Sequence, residues 1–206
     1  MAGGRKREFD KQVVLNAAMQ VFWKKGYLGA SLTDLTEGMR INKPSMYSTF
    51  GNKENLFLEA TNYYLEHHAK PHTDYLYESG VGISARIKNY LKSVVTAQCD
   101  PITPKGCYIS LCVAEAAGDC MPDRARVIIN DAGAYSVMLL TELLQKDSDA
   151  QVLQLNKQAA EKALFLVTIL HGTASMARAG KTITELEPVI DCAMLGLNGA
   201  AATSSE

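Results

Sequence analysis

The chain lacks what would place it in a membrane, in a secreted scaffold or among the common enzyme classes. Its longest nearly apolar stretch, Ala163 to Leu170, is about half the ~20 residues needed to cross a bilayer, and its N-terminus reads as too polar for a secretory leader. Neither membrane spanning nor secretion is expected. The five cysteines, Cys99, Cys107, Cys112, Cys120 and Cys192, are odd in number and form no CxxC or zinc-type spacing. That pattern excludes a disulfide scaffold and suits reduced thiols in a cytoplasm. No GxSxG, HExxH, Walker loop or GxGxxG occurs, so no catalytic constellation is visible and no cofactor is expected. His67, His68 and His72 invite a metal reading, but Pro71 interrupts any common helical face and no acidic or cysteine ligand is spaced with them. Long alternations of apolar and polar residues are missing too, which leaves no convincing strand.

What is present is a chain of 206 residues, 47% apolar and 21% charged, enough for one large domain or two small ones. The formal net charge of −1 conceals an asymmetry: residues 1–53 hold nine Lys/Arg against four Asp/Glu, and the remainder twelve against eighteen. A basic end is the part expected to meet a polyanion, because neutralising phosphates releases counterions and dominates nucleic-acid affinity. A merely solvated basic surface accounts for the same charge.

Apolar spacings of three and four recur along nearly the whole chain, so the fold class is all-α, with about nine helices. Asp10 is placed to cap a first helix over roughly 10–25, with Phe9 and Val14 as a hydrophobic staple and Gly26 closing it. Val13, Ala17 and Val21, with Val14, Ala18 and Phe22, form its apolar face. Ser31-Leu-Thr-Asp34 resembles a capping box, opening a short helix with Leu32, Leu35 and Met39 inward. Asn42 can cap another, with Pro44 in its first turn and Ile41, Met46 and Phe50 as anchors. A fourth helix starts near Asn52, carries Leu56, Phe57, Ala60, Tyr63, Tyr64 and His67 on one side, and is expected to halt at Pro71. Longer helices follow at about 83–98, 105–117, 122–145, from 151 or 156 to 179 with Gly180 closing, and from 182–187 to about 198. Gly199 to Glu206 is expected to fray.

Two short helices joined by a three- or four-residue turn and buttressed by a longer preceding helix have the layout of a helix-turn-helix. The second must be anchored by apolar residues on one side while small, polar or basic side chains on the other reach bases and phosphates. Lys43-Pro-Ser-Met-Tyr-Ser-Thr49 meets both demands. The run SLTDLTEGMRINKPSMYSTFGNKENLF, with its Tyr47-x-x-Phe50 spacing and Lys53-Glu54 pair, resembles the DNA-binding signature of the TetR/AcrR family of bacterial repressors. This resemblance implies a DNA-binding domain over 1–53 and a larger effector-binding and dimerisation domain over 54–206. It implies base contacts from Lys43, Pro44, Ser45 and Ser48, phosphate contacts from Tyr47, Thr49 and Lys53, and backbone contacts from Ser31 and Thr33. Where the family usually has glycine in the interhelical turn this chain has Arg40, whose guanidinium can gain a phosphate contact. Arg5, Lys6 and Arg7 can form a minor-groove arm.

The expected partners are a double-stranded DNA operator of pseudo-palindromic sequence, a small-molecule effector and a second copy of the chain. In a twofold dimer the reading heads sit about 34–36 Å apart or at a multiple of that spacing. Leu166, Ile169, Leu170, Thr173, Met176 and Ala177, with Ile190, Ala193, Met194 and Leu197, are the candidate dimer interface. Tyr63, Tyr64, Tyr90, Cys107, Tyr108, Tyr135, Met138 and His171 are the candidate effector-binding set, apolar walls with a few polar tips. Cys107 follows Lys105-Gly106 near a helix start, where the dipole and an ammonium favour thiolate, making it a candidate electrophile or redox sensor with Cys112 or Cys120 as resolving thiols. The rival reading is a helical carrier or enzyme with an incidental basic N-terminus. A steep salt dependence of DNA affinity separates the two.

Overall fold

Four side-chain caps fix the starts of the first four helices. In the computed structural model, which describes residues 10–199, Asp10 accepts from the Gln12 amide at 2.8 Å and opens α1 (Lys11–Gly29). Ser31 and Asp34 form a reciprocal capping box at α2 (Leu32–Met39). Asn42 accepts from the Ser45 amide at 2.8 Å at α3 (Lys43–Phe50), and Asn52 from the Asn55 amide at 2.7 Å at α4 (Lys53–Tyr64). Each satisfies an amide that the first helical turn leaves without a partner. The Arg5–Arg7 arm, the Phe9 staple and the tail beyond residue 199 lie outside the described residues.

Asp34 also accepts from Lys25 Nζ at 2.5 Å, tying α1 to α2. The lysine hydrogen bond, then those from the Ser31 amide and hydroxyl, lower its carboxyl from 3.8 to about 2. A depressed folded-state value means the tie is complete above pH 3.8 and is lost as pH falls towards about 2. Asp34→Asn should therefore flatten the loss of thermal stability between pH 5 and 2 relative to wild type, a comparison that differential scanning calorimetry makes directly.

Arg40 closes α2 in the left-handed region (φ 54, ψ 37), with its N–H donating to the Glu37 and Thr36 carbonyls. Arginine in place of glycine costs about 1 kcal/mol in this conformation. On α1 the inward stripe is narrower than its periodicity predicts: Val14, Ala18 and Phe22 are buried and Ala17 and Val21 half-buried, but Val13 is 65% exposed.

The expected stop at Pro71 does not occur. A π turn over Leu65–Ala69, with the Lys70 N–H donating to the Leu65 carbonyl, passes into α5 (Lys70–Thr73) and a 3-10 turn over Asp74–Tyr77. Pro71 thus falls at a helix start, where its missing N–H is harmless. The wider turn also decides which histidine faces inward. His67 is exposed and stacks on Tyr63 at 4.0 Å, whereas His68 sits edge-on to Trp23 at 5.3 Å.

The chain continues as α6 (Ile83–Gln98), α7 (Tyr108–Ala116), α8 (Asp123–Lys146), the short α9 (Ser148–Val152), α10 (Ala159–Arg178) and α11 (Ile183–Gly199). Among the described residues these make nine helices of eight residues or more, the number read from the sequence, and no strand. Two apolar cores share α8. Its first half, through Ala125 and Ile129, joins α1–α4 and α7 around Phe22, Phe57 and Tyr108. Its second half, through Leu140, Leu143 and Leu144, joins α6, α9, α10 and α11 around Leu91 and Leu166. Although α8 is long and apolar enough to cross a bilayer, it packs here against α4, α7 and α10.

Candidate functional site

The α3 side chains divide as the helix-turn-helix demands. Met46 and Phe50 are buried at 0% and 3% exposure, anchoring the helix on α1, α2 and α4. Lys43, Pro44, Tyr47 and Ser48 are exposed on the opposite side, while Ser45 and Thr49 are half-buried. The Ser48 hydroxyl donates back to the Ser45 carbonyl at 3.0 Å, which leaves its oxygen free to accept. Ser31, Thr33 and Arg40 are exposed at the two ends of α2. Lys53 is half-buried, its ammonium 4.5 Å from the Tyr27 ring centroid. Burial lowers its pKa, against an opposing pull from the Glu115 carboxylate.

Glu115, near the end of α7, connects the larger part of the chain to this reading unit. Gly26 breaks α1 at φ 73, ψ 178, so the turn beginning at Tyr27 starts without intrahelical partners for its amides. Glu115 Oε2 accepts from the Tyr27 amide at 2.7 Å. Burial raises the Glu115 carboxyl, opposed by hydrogen bonds from the Tyr27, Leu28 and Gly29 amides and by the charge of Lys53. The carboxylate thus acts as an N-terminal cap delivered from 88 residues away in sequence.

At its other end α7 begins on an open cavity of about 590 Å³ lined by α4, the π turn, α5, α6, α8 and α10. Of the expected effector residues, Tyr64, Tyr90, Cys107, Tyr135 and His171 line it. The other three do not. Tyr108 is fully buried in the first core, its hydroxyl 2.8 Å from Thr61 Oγ1; Tyr63 stacks on the back of His67 without reaching the wall; Met138 is 58% exposed on α8. Residues outside the expected effector set complete the wall, among them Trp23, Gln98 and the histidines His68 and His72, which the sequence had brought forward only for metal. Trp23 reaches in from α1, its indole N–H donating to the Gly106 carbonyl at 3.3 Å. His72 Nδ1 lies 2.7 Å from Ser93 Oγ, and burial depresses the His68, His72 and His171 pKa values, favouring neutral rings.

Cys107 is the N-cap residue of α7, with its sulfur 3.6 Å from the Tyr64 hydroxyl. The expected neighbouring ammonium is elsewhere, because Lys105 Nζ donates to the Cys99 carbonyl. The cation beside Cys107 is Arg178, whose guanidinium donates to the Cys107 and Trp23 carbonyls at 3.2 and 3.1 Å. Gly106 permits this approach: its φ is +80, and a Cβ there would lie 2.7 Å from the Ala174 carbonyl oxygen. Cys112 is fully buried, which pushes its thiol well above the ordinary range, so it is poorly placed to resolve a sulfur intermediate; Cys120 is exposed.

The candidate dimer residues divide as well. Leu166, Leu170, Thr173 and Ala177 on α10, and Ile190, Ala193, Met194 and Leu197 on α11, are buried within the protomer. Only Ile169, half-buried, and Met176, 47% exposed, reach the surface. The free apolar face lies on the opposite sides of the same helices, with Leu164, Phe165 and Met176 on α10 and Val189 and Leu195 on α11. Phe165 approaches Gly196 closely enough to make the two helices one continuous surface.

Comparison with known proteins agrees with this geometry. Residues 14–60 match the model of bacterial regulatory proteins, tetR family. A cysteine-substituted mutant of the TetR family transcriptional regulator CifR, solved with 26-base-pair operator DNA, is 31% identical with a TM-score of 0.84, covering 93% of this chain and 98% of that one. The HTH-type transcriptional repressor ComR of Escherichia coli (strain K12) is 25% identical over 193 residues, 89% of this chain and 86% of the relative. An uncharacterized HTH-type transcriptional regulator, YezE of Bacillus subtilis (strain 168), is 39% identical over 106 residues, 52% of this chain and 54% of the relative. The chain belongs to the TetR family of bacterial transcriptional regulators.

Proposed function

We propose that the protein is a homodimeric, ligand-responsive transcriptional repressor without catalytic activity, acting in the cytoplasm on a pseudo-palindromic operator. The observation that carries this reading is the α3 surface: Lys43, Pro44, Tyr47 and Ser48 exposed over buried Met46 and Phe50, in a chain 31% identical to an operator-bound regulator. Residues 1–53 serve as the reading domain and 54–206 as the effector and dimer domain. Ser45, Thr49, Ser31, Thr33, Arg40 and Lys53 flank the reading surface as further backbone and base contacts. A carrier or enzyme with an incidental basic end accounts for none of this arrangement.

The effector occupies the cavity, and induction follows from differential affinity. A ligand that prefers the arrangement with wrongly spaced reading heads lowers operator affinity. Lys43→Ala and Tyr47→Ala should each weaken operator binding about tenfold or more with unchanged circular dichroism, since both side chains are exposed and stabilise no core. Fluorescence anisotropy with operator duplex measures this, and unchanged affinity in both variants would sink the assignment.

The position of Cys107 favours a second reading of the same cavity, in which the effector is an electrophile. Its sulfur stands in the wall, with the Arg178 guanidinium bonded to its carbonyl. Iodoacetamide should then alkylate Cys107 in the native protein faster than in the urea-unfolded chain, as peptide mass spectrometry reads; an equal or slower native rate rejects the sensor.

A further inference from the structure

Arg124, in the first turn of α8, is exposed, and its Nη1 donates to Asn55 Oδ1 at 2.9 Å. This contact brings a cation of the larger part of the chain to the edge of the reading unit. Asn55 belongs to the first turn of α4, two residues after Lys53, and its Nδ2 lies 3.3 Å from the position that a Cβ on Gly51 would take. Gly51 closes α3, its amide donating to the Tyr47 carbonyl at 2.9 Å. Tyr47, Gly51, Asn52 and Arg124 are all exposed, and they form one strip that runs off the end of α3. Tyr47 and Gly51 are about 6 Å apart along the helix axis, and successive phosphates of one strand advance about 3.4 Å along a duplex. A strand held at Tyr47 and continued along this strip reaches Arg124 within a few nucleotides.

Its charge is also set apart from the rest of the larger domain. Of the twelve cations beyond residue 53, seven pair with carboxylates, Arg126 with Asp123 among them. Lys105, Lys162 and Arg178 donate to backbone carbonyls. Arg124 and Lys157 remain, each bonded among the described residues to a side-chain amide, Asn55 and Gln154 respectively. Lys157 sits between α9 and α10, next to the second core. At Arg124 the amide brings no compensating negative charge and takes up one of the five guanidinium N–H groups. A planar fork held in place by one such bond loses less side-chain entropy when it meets an anion, and phosphate oxygens match its geometry in pairs.

We propose that Arg124 binds a backbone phosphate of the operator, so that the larger domain contributes directly to DNA affinity. This inference rests on the reading of α3 as the recognition helix and extends its surface past residue 53. It also joins the cavity to the duplex. Ile128, one helical turn on from Arg124 in α8, and Ala132, one turn further, both line the cavity. A ligand that displaces this stretch of α8 therefore moves a phosphate contact together with the helix that bears it.

Anisotropy titrations of the full-length protein with operator duplex over about 0.05–0.3 M KCl test it. Each phosphate neutralised adds about 0.9 to the slope of log affinity against log salt, so Arg124→Gln should make the slope of a bound dimer shallower by about 1.8 and weaken binding about tenfold or more at ~0.1 M salt. Arg124→Lys keeps the charge and should keep most of the slope. Lys157→Ala removes an equal charge away from α3, and Asn55→Ala removes the anchor but not the cation; both should retain the wild-type slope. A wild-type slope in Arg124→Gln, the result expected if the arginine only braces α4, overturns the inference. The wild-type protein decides even if Arg124→Gln does not fold: phenylglyoxal should modify Arg124 in the free protein and not in the operator complex, as peptide mass spectrometry reads, and equal modification overturns the contact. Both negative results leave the α3 reading standing where Lys43→Ala and Tyr47→Ala still weaken binding. A wild type without salt dependence or preference for operator over scrambled duplex overturns that reading and this inference with it.

Discussion

Gly26→Ala lowers the stability of the protein by about 3–4 kcal/mol, a fall of roughly 10 °C in Tm for a chain of this length. Two effects add. The backbone at φ 73, ψ 178 lies in a region essentially reserved for glycine, which costs about 1–3 kcal/mol for alanine. The new Cβ would also stand 2.1 Å from Glu115 Oε1, forcing the carboxylate off the Tyr27 amide. Gly29→Ala is the control, because its Cβ would meet nothing nearer than Lys25 Cβ at 3.8 Å, and it should shift Tm little. Combining Gly26→Ala with Glu115→Ala removes the collision but not the backbone strain, so relative to Glu115→Ala alone alanine at 26 should then cost only the strain of about 1–3 kcal/mol. Thermal unfolding followed by circular dichroism measures all five proteins. A Gly26→Ala protein as stable as wild type would mean that the α7 carboxylate does not clamp the end of α1.

The double variant Leu164→Glu/Leu195→Glu should be monomeric and bind operator at least about a hundredfold more weakly than wild type. Both side chains are mostly exposed in the protomer, at 57% and 74%, so charge there leaves the fold intact. If the outer faces of α10 and α11 join two copies, the substitution places carboxylates in an apolar interface that offers them no partner. The loss in DNA affinity follows because a single helix-turn-helix loses the second head that made the paired binding event intramolecular. Sedimentation velocity and operator anisotropy check the two halves of the expectation. A dimeric variant with full operator affinity would move the interface elsewhere.

That interface illustrates what the sequence can and cannot specify. The apolar periodicity of α10 and α11 is plain, yet both faces of each helix carry apolar residues, and periodicity alone does not say which one the protomer keeps for itself. Leu166, Leu170, Ile190 and Met194 pack inward because α6 and α8 meet them there. Leu164 and Leu195 remain outside. The helix starts, by contrast, were legible, since Asp10, Ser31, Asn42 and Asn52 act on amides two or three residues away. The division of α3 into a buried and an exposed side was legible for the same reason, being one short helix. Pro71 misled because the π turn before it adds one residue to the ladder, a shift with no mark in a hydrophobic pattern. The Glu115–Tyr27 contact and the Gln98 end of the cavity join segments 70 to 90 residues apart, and only tertiary packing brings them together.

Trp23 is the only tryptophan in the chain. Because it projects from α1 into the cavity wall and donates to the Gly106 carbonyl, the tryptophan emission of the protein comes from one side chain at the seam between the cavity and the α1–α4 unit. Filling of the cavity and movement of the helix that buttresses α3 therefore register in a single unlabelled optical signal. Its time course in a rapid-mixing experiment, set against that of a labelled duplex, would order ligand entry and DNA release directly.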